Sequence, residues 1–190
     1  PGGFGVRGTE GKIAAARYAR ENKIPYLGLC LGMQIMSIEY ARHVLKDDAI
    51  TSEEFDESGV VPKNKYMVHF LPGQHKERAK GGTLRLGAFP CHVVKGTVTH
   101  RAYKKEMISE RHRHRYEINN DLRKKMETKG YVVSGIYKKG NLVEIAEIAE
   151  HPFMVGSQFH PEFLSRPGKP HPLFREFIKA ALCHSSATPY

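Results

Sequence analysis

Apolar positions along the chain follow two periods, and together they predict alternating helices and strands. Ile13, Ala16 and Ala19 recur three apart within Glu10–Arg20, which predicts a helix with a narrow apolar stripe. Asn22 stops it before an apolar run at Ile24–Leu29, a short buried strand. Directly behind Cys30, apolar residues from Met33 through Val44 cover much of a helix that runs to about Leu45. Asp47–Gly59 is acidic and polar, a rim loop. Lys65–Leu71 reads as a strand, Gln74–Lys80 as a charged insert, and Thr83–Phe89 with His92–Val98 as a strand pair turning near Pro90. From Arg111 to Ile118 the side chains alternate strictly, so a strand would carry Arg111, Arg113 and Arg115 on one face and His112, His114 and Tyr116 on the other. Asn119-Asn120 can cap a helix that Gly130 ends. Tyr131–Tyr137 and Leu142–Ile148 form a hairpin about Lys138–Asn141, Phe153–Phe159 is a further strand, and Pro172 opens a last helix to about Leu182.

The 190 residues, 40% hydrophobic, suit one α/β-sized domain, with neither repeats nor a second domain. No apolar stretch approaches the length of a membrane span. Three cysteines without Cys-x-x-Cys spacing fit a reducing, cytoplasmic setting and argue against disulfides or structural zinc. The net charge of +10 could draw polyanions, but the basic residues are interleaved with acids and no nucleic-acid module accompanies them. A basic face toward nucleotides or an acidic domain is the better reading.

Chemistry concentrates at two stretches. Gly28-Leu29-Cys30-Leu31-Gly32 places a cysteine between strand and helix, where a tight turn needs glycine and the free helix amides favour thiolate. Far downstream, His160-Pro161-Glu162 follows a strand. A cysteine attacking a carbonyl needs a base, and the base needs an acceptor that fixes its tautomer, so the two stretches suggest a Cys30–His160–Glu162 triad. The opening Pro1–Gly8 is a glycine-rich loop, read either as a plain turn or as a nest of amides for an anion. Gln34, four residues past the cysteine, could reach back over the pocket. The histidines of Arg111–Arg115 lack a third ligand for zinc, and arginine presented to a carboxylate or phosphate is more credible.

Pro1–Glu10, Leu29–Gln34, Gly81–Gly87, Glu110–Asn119 and Gln158–Pro167 together resemble the class I glutamine amidotransferase family, and within it the C-terminal glutaminase domains of CTP synthases. The resemblance implies a flavodoxin-like α/β fold with a mostly parallel sheet and helices on both faces. It further implies that Cys30 is the nucleophile, His160 the acid/base and Glu162 its orienting carboxylate. The amides of Gly3 and Leu31 would hold the oxyanion, with Gly32, Met33, Gln34, Glu54 and Arg115 around the glutamine. The segment before Phe55 is one residue longer than the family pattern and lacks its Asn, so Glu53 competes with Glu54 for the substrate ammonium. The family carries further strand and helix segments ahead of the Pro-Gly-Gly loop, so residues 1–190 are expected to be one glutaminase domain from a longer chain. No cofactor or metal is expected in this domain. ATP, UTP, Mg²⁺ and regulatory GTP are implied for the complete enzyme, as are a synthetase domain in the same protein and a homotetramer, with L-glutamine as substrate and neither nucleic acid nor membrane as partner. The alternatives are a cysteine hydrolase acting on another amide or γ-glutamyl bond, and a catalytically idle scaffold module.

Overall fold

A computed structural model describes residues 1–70 and 85–187. The expected charged insert Gln74–Lys80 and its flanking Pro72-Gly73 and Gly81-Gly82 lie outside the described residues. Among the described residues, helices α1 (Thr9–Glu21), α2 (Leu31–Leu45), α3 (Val98–Tyr103), α4 (Asn120–Glu127) and α5 (Pro172–Ala187) accompany nine strands. The strands are β1 (Tyr26–Leu29), β2 (Thr51–Ser52), β3 (Tyr66–Phe70), β4 (Arg85–Val93), β5 (Met107–His114), β6 (Tyr116–Ile118), β7 (Tyr131–Tyr137), β8 (Leu142–Ile148) and β9 (Met154–Ser157).

The six-stranded sheet runs β1-β9-β8-β7-β4-β5, and a smaller sheet runs β2-β3-β6. Among the described residues only β1–β9 and β2–β3 are parallel; β9–β8, β8–β7, β7–β4, β4–β5 and β3–β6 are antiparallel. This overturns the mostly parallel sheet that the family resemblance implied. For the consecutive pairs β7–β8 and β8–β9 the reason lies in the connections. β7 and β8 are joined by a single 3₁₀ turn closing on Asn141 at φ 51°, and residues 149–153 return the chain from β8 to β9. Such short links force antiparallel neighbours, since a parallel pair needs a crossover of roughly a dozen residues or more.

α2 is buried over its whole first three turns, from Leu31 to Ala41. It lies between the large sheet and α1, with α4 and β3 also against it. Burial on all sides leaves Glu39 without water, and Arg20 of α1 answers it with a two-pronged pair at 2.8 and 2.9 Å. A second apolar core, built on Val155, Phe159, Ile145 and Leu173, packs under α3 and α5.

Two expectations fail locally. Pro90 does not turn the chain; β4 runs straight through it, opposite Ser109 of β5. Pairing of β4 with β7 starts only at His92, so the other edge of β4 is open at Pro90, where a residue without an amide proton is tolerated. His92–Val98 is not a strand, because Val98 begins α3. Thr97 caps that helix by accepting from the His100 amide, and the Glu147 carboxylate takes the Val98 and Thr99 amides at 2.9 and 2.7 Å. A valine-rich run reads as extended in isolation; here an anion from β8 holds a helix N-terminus.

The Arg111–Ile118 alternation also breaks. Through β5 exposed and buried residues alternate, with Arg111 and Arg113 outward and His112 and His114 inward. At Arg115 the chain leaves the large sheet, and Tyr116, Glu117 and Ile118 are all buried in β6 of the small one. Arg115 therefore stands at the bend and not on the face of its two neighbours.

Candidate active site

Parallel pairing of β1 with β9 brings the two chemical stretches together. The Cys30 amide donates to Ser157 O at 2.7 Å, one step past the last strand pair, Leu29 with Ser157. Cys30 and the residues leading to His160 thus meet at the same carboxyl end of the sheet. The elbow is steric as well as topological. A Cβ on Gly28 would stand 2.5 Å from the carbonyl carbon and oxygen of Gly32, so only glycine lets strand and helix approach so closely. Tyr26 locks the contact by donating to Gly32 O at 2.8 Å. Cys30 is held at φ 52°, ψ −103°, a strained setting for a side chain with a Cβ.

The thiol is 2% exposed. The Leu31 amide at the start of α2 donates to it, as expected of a helix N-terminus. Burial nevertheless outweighs that pull, and together with the negative charges of Glu54, Glu162 and Glu117 it pushes the thiol up to about 12. The expectation that the helix amides alone would favour thiolate is therefore not met in the free protein.

His160 Nδ1 stands 2.6 Å from Glu162 Oε1, and its ring stacks on Phe163. The His160 amide donates to Arg111 O at 2.8 Å, tying the loop to the edge of β5. His160 Nε2 is buried without a hydrogen-bond partner among the described residues. A Cβ on Gly2 would lie 3.0 Å from His160 Cε1 and 3.7 Å from Cys30 Cβ, so the opening loop passes directly over both side chains. Gly3 lies against Leu31, and Gly32 against Pro1.

Glu54 accepts the Gly5 amide at 2.9 Å and feels the charge of Arg115; burial still raises its carboxyl above the ordinary range. Glu53 faces elsewhere, accepting the Phe70 amide at 2.9 Å at the end of β3. Arg115 keeps a buried Nε with no partner among the described residues. Met33 is wholly buried, its side chain packed on Gly156, and contributes core and not a contact surface. Gln34 is also buried, 3% exposed, and donates to Gln158 Oε1 at 3.2 Å instead of reaching over the pocket. Gln158 in turn directs its Nε2 at Cys30 Sγ, 3.7 Å away. Gln158 was missed in the sequence; its only signal there is its place two residues before His160.

A model of the glutamine amidotransferase class-I family matches residues 1–180. The chain belongs to the class I glutamine amidotransferase family. Within this family its similarity is to CTP synthases: it is 59% identical over 181 residues to that of Dehalococcoides mccartyi, covering 95% of this chain and 32% of the relative. To the CTP synthase of Geobacter metallireducens it is 56% identical over 184 residues, 97% of this chain and 34% of the relative. The chain thus spans about a third of the length of the curated relatives it matches. Among solved structures, a Trypanosoma brucei CTPS glutaminase domain with bound acivicin superposes with a TM-score of 0.86 at 35% identity, covering all of this chain and 70% of that one. This amidotransferase domain is closely related to the glutaminase domain of CTP synthase. No helix among the described residues is long and apolar enough to cross a membrane.

Proposed function

We propose that this chain hydrolyses the side-chain amide of L-glutamine and passes the ammonia to a synthetase domain that aminates UTP to CTP. Cys30 Sγ gives its proton to His160 Nε2 and attacks the amide carbon. The amides of Gly3 and Leu31 hold the oxyanion, and His160 returns the proton to the departing nitrogen, releasing ammonia and leaving a thioester. Water, deprotonated by His160, then attacks the thioester, and glutamate leaves as the thiol re-forms. Glu162 on Nδ1 keeps the imidazole aimed with Nε2 toward the sulfur. Glu54 receives the substrate ammonium and Arg115 its α-carboxylate, with Gly32 behind the nucleophile.

The observation that carries this reading is the likeness, along the whole chain, to a glutaminase domain described with bound acivicin. The local geometry supports it: a sealed thiol, a His–Glu pair and an opening glycine loop meet at one sheet end. ATP, UTP, Mg²⁺ and GTP belong to the complete enzyme, a cytoplasmic homotetramer in this reading. The sequence carries no Gly-x4-Gly-Lys-Ser/Thr motif that would hold their phosphates.

The test is ammonia release from glutamine, with and without a synthetase domain, ATP, UTP and GTP. Cys30→Ala should abolish release with the fold intact, and a diazo-ketone glutamine analogue should add its mass to Cys30. Release that survives Cys30→Ala, or labelling confined to Cys91 or Cys183, would overturn the assignment. Activity on other amides but not on glutamine would make the chain a different cysteine hydrolase.

A further inference from the structure

The loop that carries His160 is fastened at both ends to two consecutive residues of β5. At its start the His160 amide donates to Arg111 O at 2.8 Å. From Glu162 to Pro170 every residue but Ser165 is exposed, and the next buried one is His171, 3% exposed. Its Nε2 lies 3.1 Å from Oε1 of Glu110, which is buried to the same degree. Tyr103 of α3 donates its hydroxyl to the same Glu110 oxygen at 2.8 Å, and that hydroxyl is 3.1 Å from His171 Nε2. The reaction above uses none of these three side chains.

The hydrogen bonds fix the tautomer of His171. Its Nδ1 accepts the Leu173 amide at 3.3 Å, so the ring hydrogen sits on Nε2 and is donated to Glu110. One carboxylate oxygen thus gathers a donor from α3 and a donor from the loop, and holds both against β5. Between its two ends the loop is bonded to itself. Arg166 and Lys169 exchange backbone hydrogen bonds at 3.2 and 3.0 Å, and Ser165 Oγ accepts the His171 amide at 3.2 Å. Pro167 and Pro170 fix φ at two further steps. A shift of His171 is therefore carried back toward His160 and not absorbed on the way.

We propose that Glu110, His171 and Tyr103 are positioning residues: they clamp the far end of the loop and so set where His160 presents Nε2 to Cys30. They touch no reacting atom. Glu162 cannot do this alone. It stands two residues from His160 on the same loop, so the pair moves as one body when the loop shifts. Glu162 orients the ring within the loop, whereas the clamp orients the loop against the sheet. Glu54 and Arg115, which would grip the substrate, stand on other segments, after β2 and at the bend between β5 and β6. Loosening the clamp should therefore act on kcat and leave KM alone.

The inference rests on the glutaminase reading, and its test separates the two. His171→Phe keeps an aromatic ring and loses the donor. In the ammonia-release assay kcat should fall roughly tenfold to a hundredfold, as for a reacting group about 1 Å out of place, with KM unchanged. In the free protein, hydrogen exchange at the His160 amide should speed up while the amides of the β7–β8 hairpin keep their protection. His171→Gln returns a donor near the place of Nε2 and should restore most of the kcat and of the protection. An unchanged kcat or an unchanged His160 exchange rate in a folded His171→Phe overturns the proposal, as does a folded His171→Gln that recovers neither. If either variant fails to fold, exchange in the wild type decides instead. The His160 and Leu173 amides should then open together, with one free energy and one denaturant dependence; independent opening overturns the clamp. If the wild type does not hydrolyse glutamine while exchange behaves as stated, the substrate reading fails and the clamp stands.

Discussion

Gln158 Nε2 points at Cys30 Sγ from 3.7 Å, and its orientation is set by a second amide, because Gln34 donates to Gln158 Oε1. With its oxygen occupied by a donor, Gln158 can only offer N–H to the sulfur. This donor becomes stronger when the sulfur turns anionic, and a hydrogen bond to a charged group contributes about 1.5–3 kcal/mol. Gln158→Leu should therefore lower kcat for glutamine by roughly tenfold to a hundredfold, the factor that this energy implies, with KM nearly unchanged. Steady-state ammonia release checks it; an equal rise in KM with kcat unchanged would assign Gln158 to substrate binding.

Glu53 and Glu54 separate by where their carboxylates go. Glu54→Gln loses charge beside Arg115 and the opening loop, so the KM for glutamine should rise by tenfold or more. Glu53→Gln weakens the cap on Phe70 and should lower Tm slightly while leaving KM alone. Arg115→Lys should act like a loss, because a flat carboxylate is matched by a guanidinium fork and not by an ammonium. Three Michaelis curves with one melting series decide the set.

Gly28 and Gly11 make a steric contrast. Gly28→Ala places a methyl 2.5 Å from the Gly32 backbone, which has no room to yield, so Tm should fall sharply and glutamine hydrolysis should be lost. A Cβ on Gly11, within α1, meets nothing within 4 Å. Gly11→Ala should stabilise by about 0.5–1 kcal/mol, the helix preference for alanine. A stabilising Gly28→Ala would contradict the close approach at the elbow.

Strong acid should loosen the loop after β2. Asp56 accepts the Tyr66 hydroxyl at 2.6 Å, the Gly59, Val60 and Val61 amides and the Ser58 hydroxyl, and these hold its carboxyl down to about 2. A carboxyl lowered in the folded state stabilises above its unfolded value, near 4, and that contribution fades as pH falls from there toward 2. Tyr66→Phe removes the largest cause of the depression. Protection of the Gly59–Val61 amides from hydrogen exchange should then be lost at a higher pH than in the wild type, and identical pH profiles would refute this account.

Local signals were enough for the elements whose own residues decide them. The stripe of α1, the helix behind Cys30 and the β7–β8 hairpin stand where the pattern placed them, because side-chain period and turn residues act over a few neighbours. Two pieces of chemistry were legible as residue types alone: a cysteine between glycines, and a His-Pro-Glu whose His160 and Glu162 side chains pair. Other features needed the folded chain. β7, β8 and β9 run antiparallel because their links are short, a property of how strands meet and not of their composition. α3 is a helix because Glu147, 49 residues after Val98, lends it an anion. Gln34 turns inward because Gln158 is there to receive it, and Arg115 leaves its arginine neighbours because β5 and β6 belong to different sheets. The charge on Cys30 was equally beyond the local pattern. Helix amides are visible in sequence, but the burial that outweighs them exists only once Gly2, β9 and α2 have closed around the sulfur.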